Sequence, residues 1–347
     1  MTTELTSRRS PAAPSELPDI VRRTGQYTPS TMTDAEHQAN EDFLAGAYAE
    51  NTSIAYRSQL KAWARWCSKR ELSLTEADPD SLVTYIRERA DGTTIGDQEY
   101  RPAKPNSLRV ATAAISKAYE VAGLPDITKN SKVRDALRSH RNRAARSGLR
   151  VKQAEALTAE VQMAIRATAL YPRRGRGGME TADQARRRGL VDIALVGLMR
   201  DCLLRRSEAA SIVWSDISRD GDGSGRLFVG VSKTDQEGDG TLLFISRQTM
   251  RDLDNIRHLG DPDQPVFGLH PKSIGKRIAA AAEAAGMTGH FTGHSARVGM
   301  ARDLARAGEE LPSLMTAGRW KGAEMVARYI ARESAGRGAV ARYHRDD

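Results

Sequence analysis

The stretch RRRGLVDIALVGLMRDCLLRRSEAASIVWSDI, residues 186–217, constrains this chain more than any other. Its apolar residues are nearly continuous from Gly189 to Met199 and resume after Cys202, so it reads as a long apolar helix pair broken near Arg200–Cys202. Such a pair is held in a core rather than laid on a surface. A protein built around it needs further helices to cover it, and 347 residues are enough for two domains with a core each.

Helical spacing recurs on both sides. In NTSIAYRSQLKAWARWCSKR, Tyr56, Leu60, Trp63 and Cys67 fall on one face with Trp66 beside them, while Arg57, Lys61 and Arg65 repeat every four residues on another. A second helix opens after Asp78-Pro79 and a third runs from Asn106-Ser107 to a stop at Gly123. The run SKVRDALRSHRNRAARSGLRVKQ, which includes Arg138, Arg141 and Lys152, is a basic helix leading into a linker. Beyond the insert YPRRGRGG (171–178) and the apolar pair, RLFVGVSK (226–233) and GTLLFIS (240–246) alternate like strands of a small antiparallel sheet. Helical patterns then resume. The expected fold is mainly α with one small antiparallel β-sheet in the second half.

Residues 1–35 are rich in Ser, Thr, Pro and charge and read as a tail. A helical domain is expected at 36–143, a basic linker at 144–157 and a second domain at 158–347. The N-terminus carries no apolar signal region and no apolar run approaches a membrane span, which points to a cytoplasmic protein. Cys67 and Cys202 stand far apart without partners at metal spacing, so they read as reduced thiols. The formal charge of +9 favours a polyanionic partner, nucleic acid first.

Four stretches of the second half hold residue types suited to phosphate chemistry: LLRRSEAASI (203–212), SKTD (232–235), GHSARVG (293–299) and AGRWKGAEMVARYIAR (317–332). Taken singly, each has an ordinary reading. The first is an amphipathic helix with a solvated arginine face, the second an edge lysine, the third a structural histidine, the fourth a pair of core aromatics. Their joint occurrence, in this order, is what carries information.

Together the motifs resemble the tyrosine recombinases of the phage integrase family, most densely over residues 293–347 and more loosely around WARWC. The resemblance implies that Arg205 and Arg297 clamp a scissile phosphate, whose oxygens gain charge as phosphorus becomes pentacovalent; two planar guanidinium forks suit that charge. It implies a supporting carboxylate at Glu208, and in Lys233 a general acid for the leaving 5′ oxygen. His294 would contact the phosphate or assist the phenol proton. Trp320 stands where an indole N–H reaches the phosphate, and Tyr329 is the nucleophile. Arg206, next to Arg205, is expected to point away. Tyr343 belongs to a terminal helix that docks on a neighbouring protomer.

The implied activity is site-specific recombination by two transesterifications through a 3′-phosphotyrosyl link, with no metal and no ATP. It implies a homotetramer on two duplexes, a dimer on each inverted-repeat site, in the nucleoid of a bacterial, plasmid or phage setting. A helical and a catalytic domain would form a C-shaped clamp on DNA, with the face of Arg57, Lys61 and Arg65 suited to phosphates or a major groove and the run holding Arg138, Arg141 and Lys152 suited to backbone contact. A type IB topoisomerase-like or telomere-resolving strand transferase would use a similar set. A non-cleaving DNA-binding regulator would be expected to have lost one of these groups.

Overall fold

The computed structural model describes residues 50–95, 98–148, 153–175, 177–230, 240–257, 262–336 and 338–344. The expected tail, and with it residues 1–35, lies outside them. The chain divides into two compact units, Met1–Val151 and Lys152–Asp347.

The first unit is helical: α1 (Glu50–Lys69), α2 (Pro79–Asp91), α3 (Pro105–Val121) and α4 (Ser131–Arg146). Local chemistry sets the ends. The Asp78 carboxylate accepts from the Ser81 N–H ahead of Pro79, and Asn130 caps α4 through the Lys132 N–H. α1 packs on α3 and α2 on α4. Trp63, Trp66, Cys67, Leu82, Tyr85, Ile86, Leu108 and Ile115 fill the centre. The Trp63 and Trp66 rings stack at 5.2 Å, with Tyr85 edge-on to both. A hairpin that the helical reading did not foresee, β1 (Thr93–Ile95) with β2 (Gln98–Tyr100), follows α2.

The second unit opens with α5 (Ala159–Thr168) and a two-stranded hairpin, β3 (Arg174–Gly175) and β4 (Gly178–Met179). The stretch read as an apolar pair is α6 (Ala182–Asp201), a turn, and the six-residue α7 (Arg206–Ser211). Its turn holds Leu203 at φ +44°. Three antiparallel strands follow in the order β5 (Ile217–Arg219), β6 (Gly225–Val229) and β7 (Thr241–Ile245). Alternate residues Gly225, Leu227 and Val229 of β6 are buried, as a sheet with one wet face requires. The first strand, β5, was hidden in the sequence because it is only three residues long.

Helices α8 (Arg247–Asp254), α9 (Pro271–Ala284), α10 (Ser295–Ala307), α11 (Leu311–Gly318), α12 (Ala323–Ala335) and α13 (Ala339–Tyr343) complete the unit. Leu157, in the segment read as linker, is fully buried in this unit, and its N–H donates to the Ser295 carbonyl at 2.9 Å. The basic insert is anchored as well. Asp192 on α6, 2% exposed, takes ion pairs from Arg173 of the insert, Arg188 and Arg277. Both cysteines are free thiols and buried. Among the described residues no helix is long and apolar enough to cross a membrane.

Candidate active site

Two tight turns, one before α7 and one after α11, bring the predicted side chains together. Arg205 is the residue before α7, not a member of a long amphipathic helix. Its N–H donates to Glu208 Oε2 at 2.8 Å and its Nη1 to Oε1 at 2.6 Å. Half of this is a capping-box contact, which explains a carboxylate three residues on from the arginine. Glu208 is buried, which raises its pKa, but the charge of Arg319 and the bonds from Arg205 outweigh that and hold it below the usual carboxylate range.

His294 precedes α10, with its N–H on Thr292 Oγ1, and Arg297 lies one turn inside. Arg297 is 1% exposed. Its Nη1 donates to the Leu203 carbonyl and its Nη2 to the Gly318 carbonyl, so it braces both turns. The guanidinium also lies over the Trp320 ring at 4.2 Å. Burial, then the charges of Arg205 and Arg319, push its pKa down to about 9. His294 is open to solvent as a whole, yet desolvation of its ring, followed by Arg297, Arg205 and Arg206, holds it below the ordinary imidazole value. Three guanidiniums against one carboxylate leave a formal excess of two positive charges around Glu208. An anion relieves that excess.

Tyr329 lies on α12, half-buried, with its ring 5.9 Å from that of Trp320. Val326 and Ile330 on the same helix pack with Leu203, Ala301, Ala305 and Leu314, fixing which face α12 turns inward. Glu333, one turn on, takes Arg302 from α10 at 2.6 Å. Two glycines permit this packing. A Cβ on Gly299 would collide with the Leu157 backbone, and one on Gly318 with the Trp320 ring. The face of α10 at Gly299 is therefore occupied by the chain's own Leu157 segment.

Arg205, Glu208, His294, Arg297, Trp320 and Tyr329 thus fall within one constellation. Lys233 lies outside the described residues, as does Lys152. Arg206 is exposed, as expected, but its side chain lies against Gly293 and its charge reaches His294. Arg319 was missed. It stands in the quoted AGRW motif, but nothing in the sequence marks its left-handed backbone or its reach to Glu208. In the first unit, half-buried Arg57 and exposed Lys61 and Arg65 line one groove with Arg89 and Tyr100. Arg138 and Arg141 are exposed on α4.

This mainly helical unit, with a cluster of guanidiniums beside a tyrosine, defines a class, and the comparisons agree. The chain belongs to the phage integrase family, the tyrosine recombinases: the family model matches residues 179–335, and the model of the family's N-terminal SAM-like domain matches residues 42–122. It is 26% identical over 328 residues to the Cre recombinase of Escherichia phage P1, covering 86% of this chain and 89% of that protein. An integrase/recombinase XerD homologue of Selenomonas ruminantium is 26% identical over 307 residues, with 83% of each chain covered. Among solved structures, the XerH site-specific recombinase bound to palindromic difH substrate is similar in fold, with a TM-score of 0.56 at 12% identity, covering 88% of this chain and 85% of that one.

Proposed function

We propose that the protein is a site-specific DNA recombinase that cleaves and rejoins DNA through a 3′-phosphotyrosyl intermediate. The observation that carries this reading is the excess positive charge at Glu208 within one ring contact of Tyr329. The Tyr329 Oη attacks phosphorus while the bond from phosphorus to the 5′ oxygen breaks. The phenol proton passes to His294, whose depressed pKa keeps it neutral and able to accept. The leaving 5′ oxygen takes a proton from Lys233. Arg205 meets the charge that builds on the non-bridging oxygens, and an indole N–H from Trp320 is the further donor there.

Arg297 already uses two donors on backbone carbonyls and keeps three of its five N–H groups. In this reading Arg205 and His294, the more open groups, meet the phosphate first, and Arg297 supplies charge from behind them. Attack by the 5′ hydroxyl of a partner strand then reverses the step, so the phosphodiester energy is conserved without ATP or metal.

Exchange between two sites calls for two duplexes and a dimer on each inverted-repeat target, a homotetramer in all. The exposed Val340 and Tyr343 of α13 suit docking of that helix on a neighbouring protomer. The groove with Arg57, Lys61 and Arg65, and the outer face of α4 with Arg138 and Arg141, suit DNA phosphates. In this assignment the unit Met1–Val151 binds the core of the site and Lys152–Asp347 is catalytic.

The test starts from a duplex recovered from a random-sequence pool by its binding to the protein. With a nick placed beside each candidate scissile phosphate, the wild type gives a protein–DNA adduct stable to detergent, and Tyr329→Phe gives none. No adduct from any nicked form of that duplex refutes cleavage.

A further inference from the structure

Arg319 holds a backbone conformation that an arginine is seldom given. It ends α11 at φ 55° and ψ 47°, in the left-handed region, where glycine sits without strain. Among the described residues only Glu71 and Leu203 share a positive φ without being glycine, and Leu203 is the turn that Arg297 braces. A strained turn that persists points to a use for the side chain it carries.

That side chain is 9% exposed. Its Nη2 donates to Glu208 Oε2 at 2.9 Å and reaches the Cys202 carbonyl at 3.5 Å. Its Nε and Nη1 are buried with no hydrogen-bond partner among the described residues. Left unpaired, such donors cost stability, so packing alone does not account for an arginine here. The contact with Glu208 does. Oε2 then receives two donors, the Arg205 N–H and Arg319 Nη2, while Oε1 is left for Arg205 Nη1. Arg319 fixes the rotation of the carboxylate, and the carboxylate fixes the guanidinium of Arg205.

We infer that Arg319 is a positioning residue for strand cleavage, acting through Glu208 to hold Arg205 at the phosphate. The inference rests on the recombinase reading above. It also accounts for the ionised state of Glu208: the charge of Arg319 is the largest of the influences that lower its pKa against burial. Because the unpaired donors are buried, Arg319 touches no phosphate itself.

The experiment uses the full chain and the nicked duplex already selected by binding. Three quantities are compared for wild type, Arg319→Gly and Arg319→Lys: duplex affinity, single-turnover rate of adduct formation, and melting temperature. Glycine relieves the backbone, so Arg319→Gly is expected to fold and to bind within about threefold of wild type. Its adduct rate is expected to fall by about 10- to 100-fold, the usual cost of losing a group that orients an active residue. Arg319→Lys, which restores a charge beside Glu208, is expected to recover part of that rate.

A folded Arg319→Gly that cleaves at the wild-type rate overturns the inference. So does a loss of affinity equal to the loss of rate, which marks a general binding role. If Arg319→Gly does not fold, Arg319→Gln is judged by the same two criteria. A wild type that forms no adduct on a duplex it binds refutes the recombinase reading itself, and the inference falls with it. An adduct from the wild type with undiminished Arg319→Gly refutes only the role of Arg319.

Discussion

The guanidinium carbon of Arg297 lies 4.2 Å from the centre of the Trp320 ring, and the ring of Tyr329 lies 5.9 Å from that same ring, tilted by 58°. Through Trp320 these contacts link α10, the turn after α11, and α12. Trp320→Phe keeps a ring over Arg297 but loses the indole N–H, whereas Trp320→Ala removes both. The stack is worth about 1–2 kcal/mol when desolvated. Trp320→Ala is therefore expected to lower the melting temperature and the adduct rate, and Trp320→Phe chiefly the rate. Calorimetry beside single-turnover cleavage checks this; equal melting losses in the two variants contradict it.

Gly299 allows the Leu157 backbone to lie against α10. Gly299→Ala forces that segment away and is expected to cost about 1–3 kcal/mol, as overpacking does. For a unit of this size each kcal/mol lowers the melting temperature by about 2–4 °C. A variant that melts with the wild type shows that the Leu157 segment yields without cost.

The carboxylate of Glu208 has a folded pKa below its ordinary 4.5, burial being outweighed by Arg319 and Arg205. A depressed carboxylate contributes stability above its unfolded pKa and loses it as pH falls through the folded value. The stability gap between wild type and Glu208→Gln is thus expected to be constant from pH 7 to about 5 and to narrow below that. Denaturant unfolding across pH 3 to 7 measures it, and a gap that widens on acidification has the wrong sign.

Asp192 pairs with Arg173, Arg188 and Arg277 from a buried position. Removing the shared carboxylate leaves Arg173 and Arg277 without the acid each pairs with, while Arg188 keeps Glu180, and breaking buried pairs costs about 3 kcal/mol or more. Asp192→Asn is expected to destabilise the unit by that order and to free the insert, so limited proteolysis should cut near residues 173–179 first. Unchanged protection of that hairpin counts against the anchor.

Much of this was legible in the sequence. Trp63 and Cys67 fall where helical spacing puts them, and α2 and α3 open at Pro79 and Pro105, close to where the sequence marks them. The strands β6 and β7 follow from alternation, though β6 ends at Val229 and the stretch holding Lys233 lies outside the described residues. The break read near Arg200–Cys202 is where α6 ends, at Asp201; what apolar spacing does not show is that Arg205 stands just before a helix of only six residues, because Leu203 carries no mark of its left-handed backbone. The hairpins of two and three residues per strand are too short for any period to appear. Arg319 was invisible for a related reason: its role depends on a backbone angle and on a carboxylate 111 residues away.

The most direct test identifies the tyrosine joined to DNA. The adduct from the nicked duplex is digested with protease and nuclease, and the peptide that carries the nucleotide is sequenced by mass spectrometry. The account predicts a single modified peptide with a 3′-phosphonucleotide on Tyr329. A nucleotide on Tyr343 or any other residue, or a link through the 5′ phosphate, would contradict it.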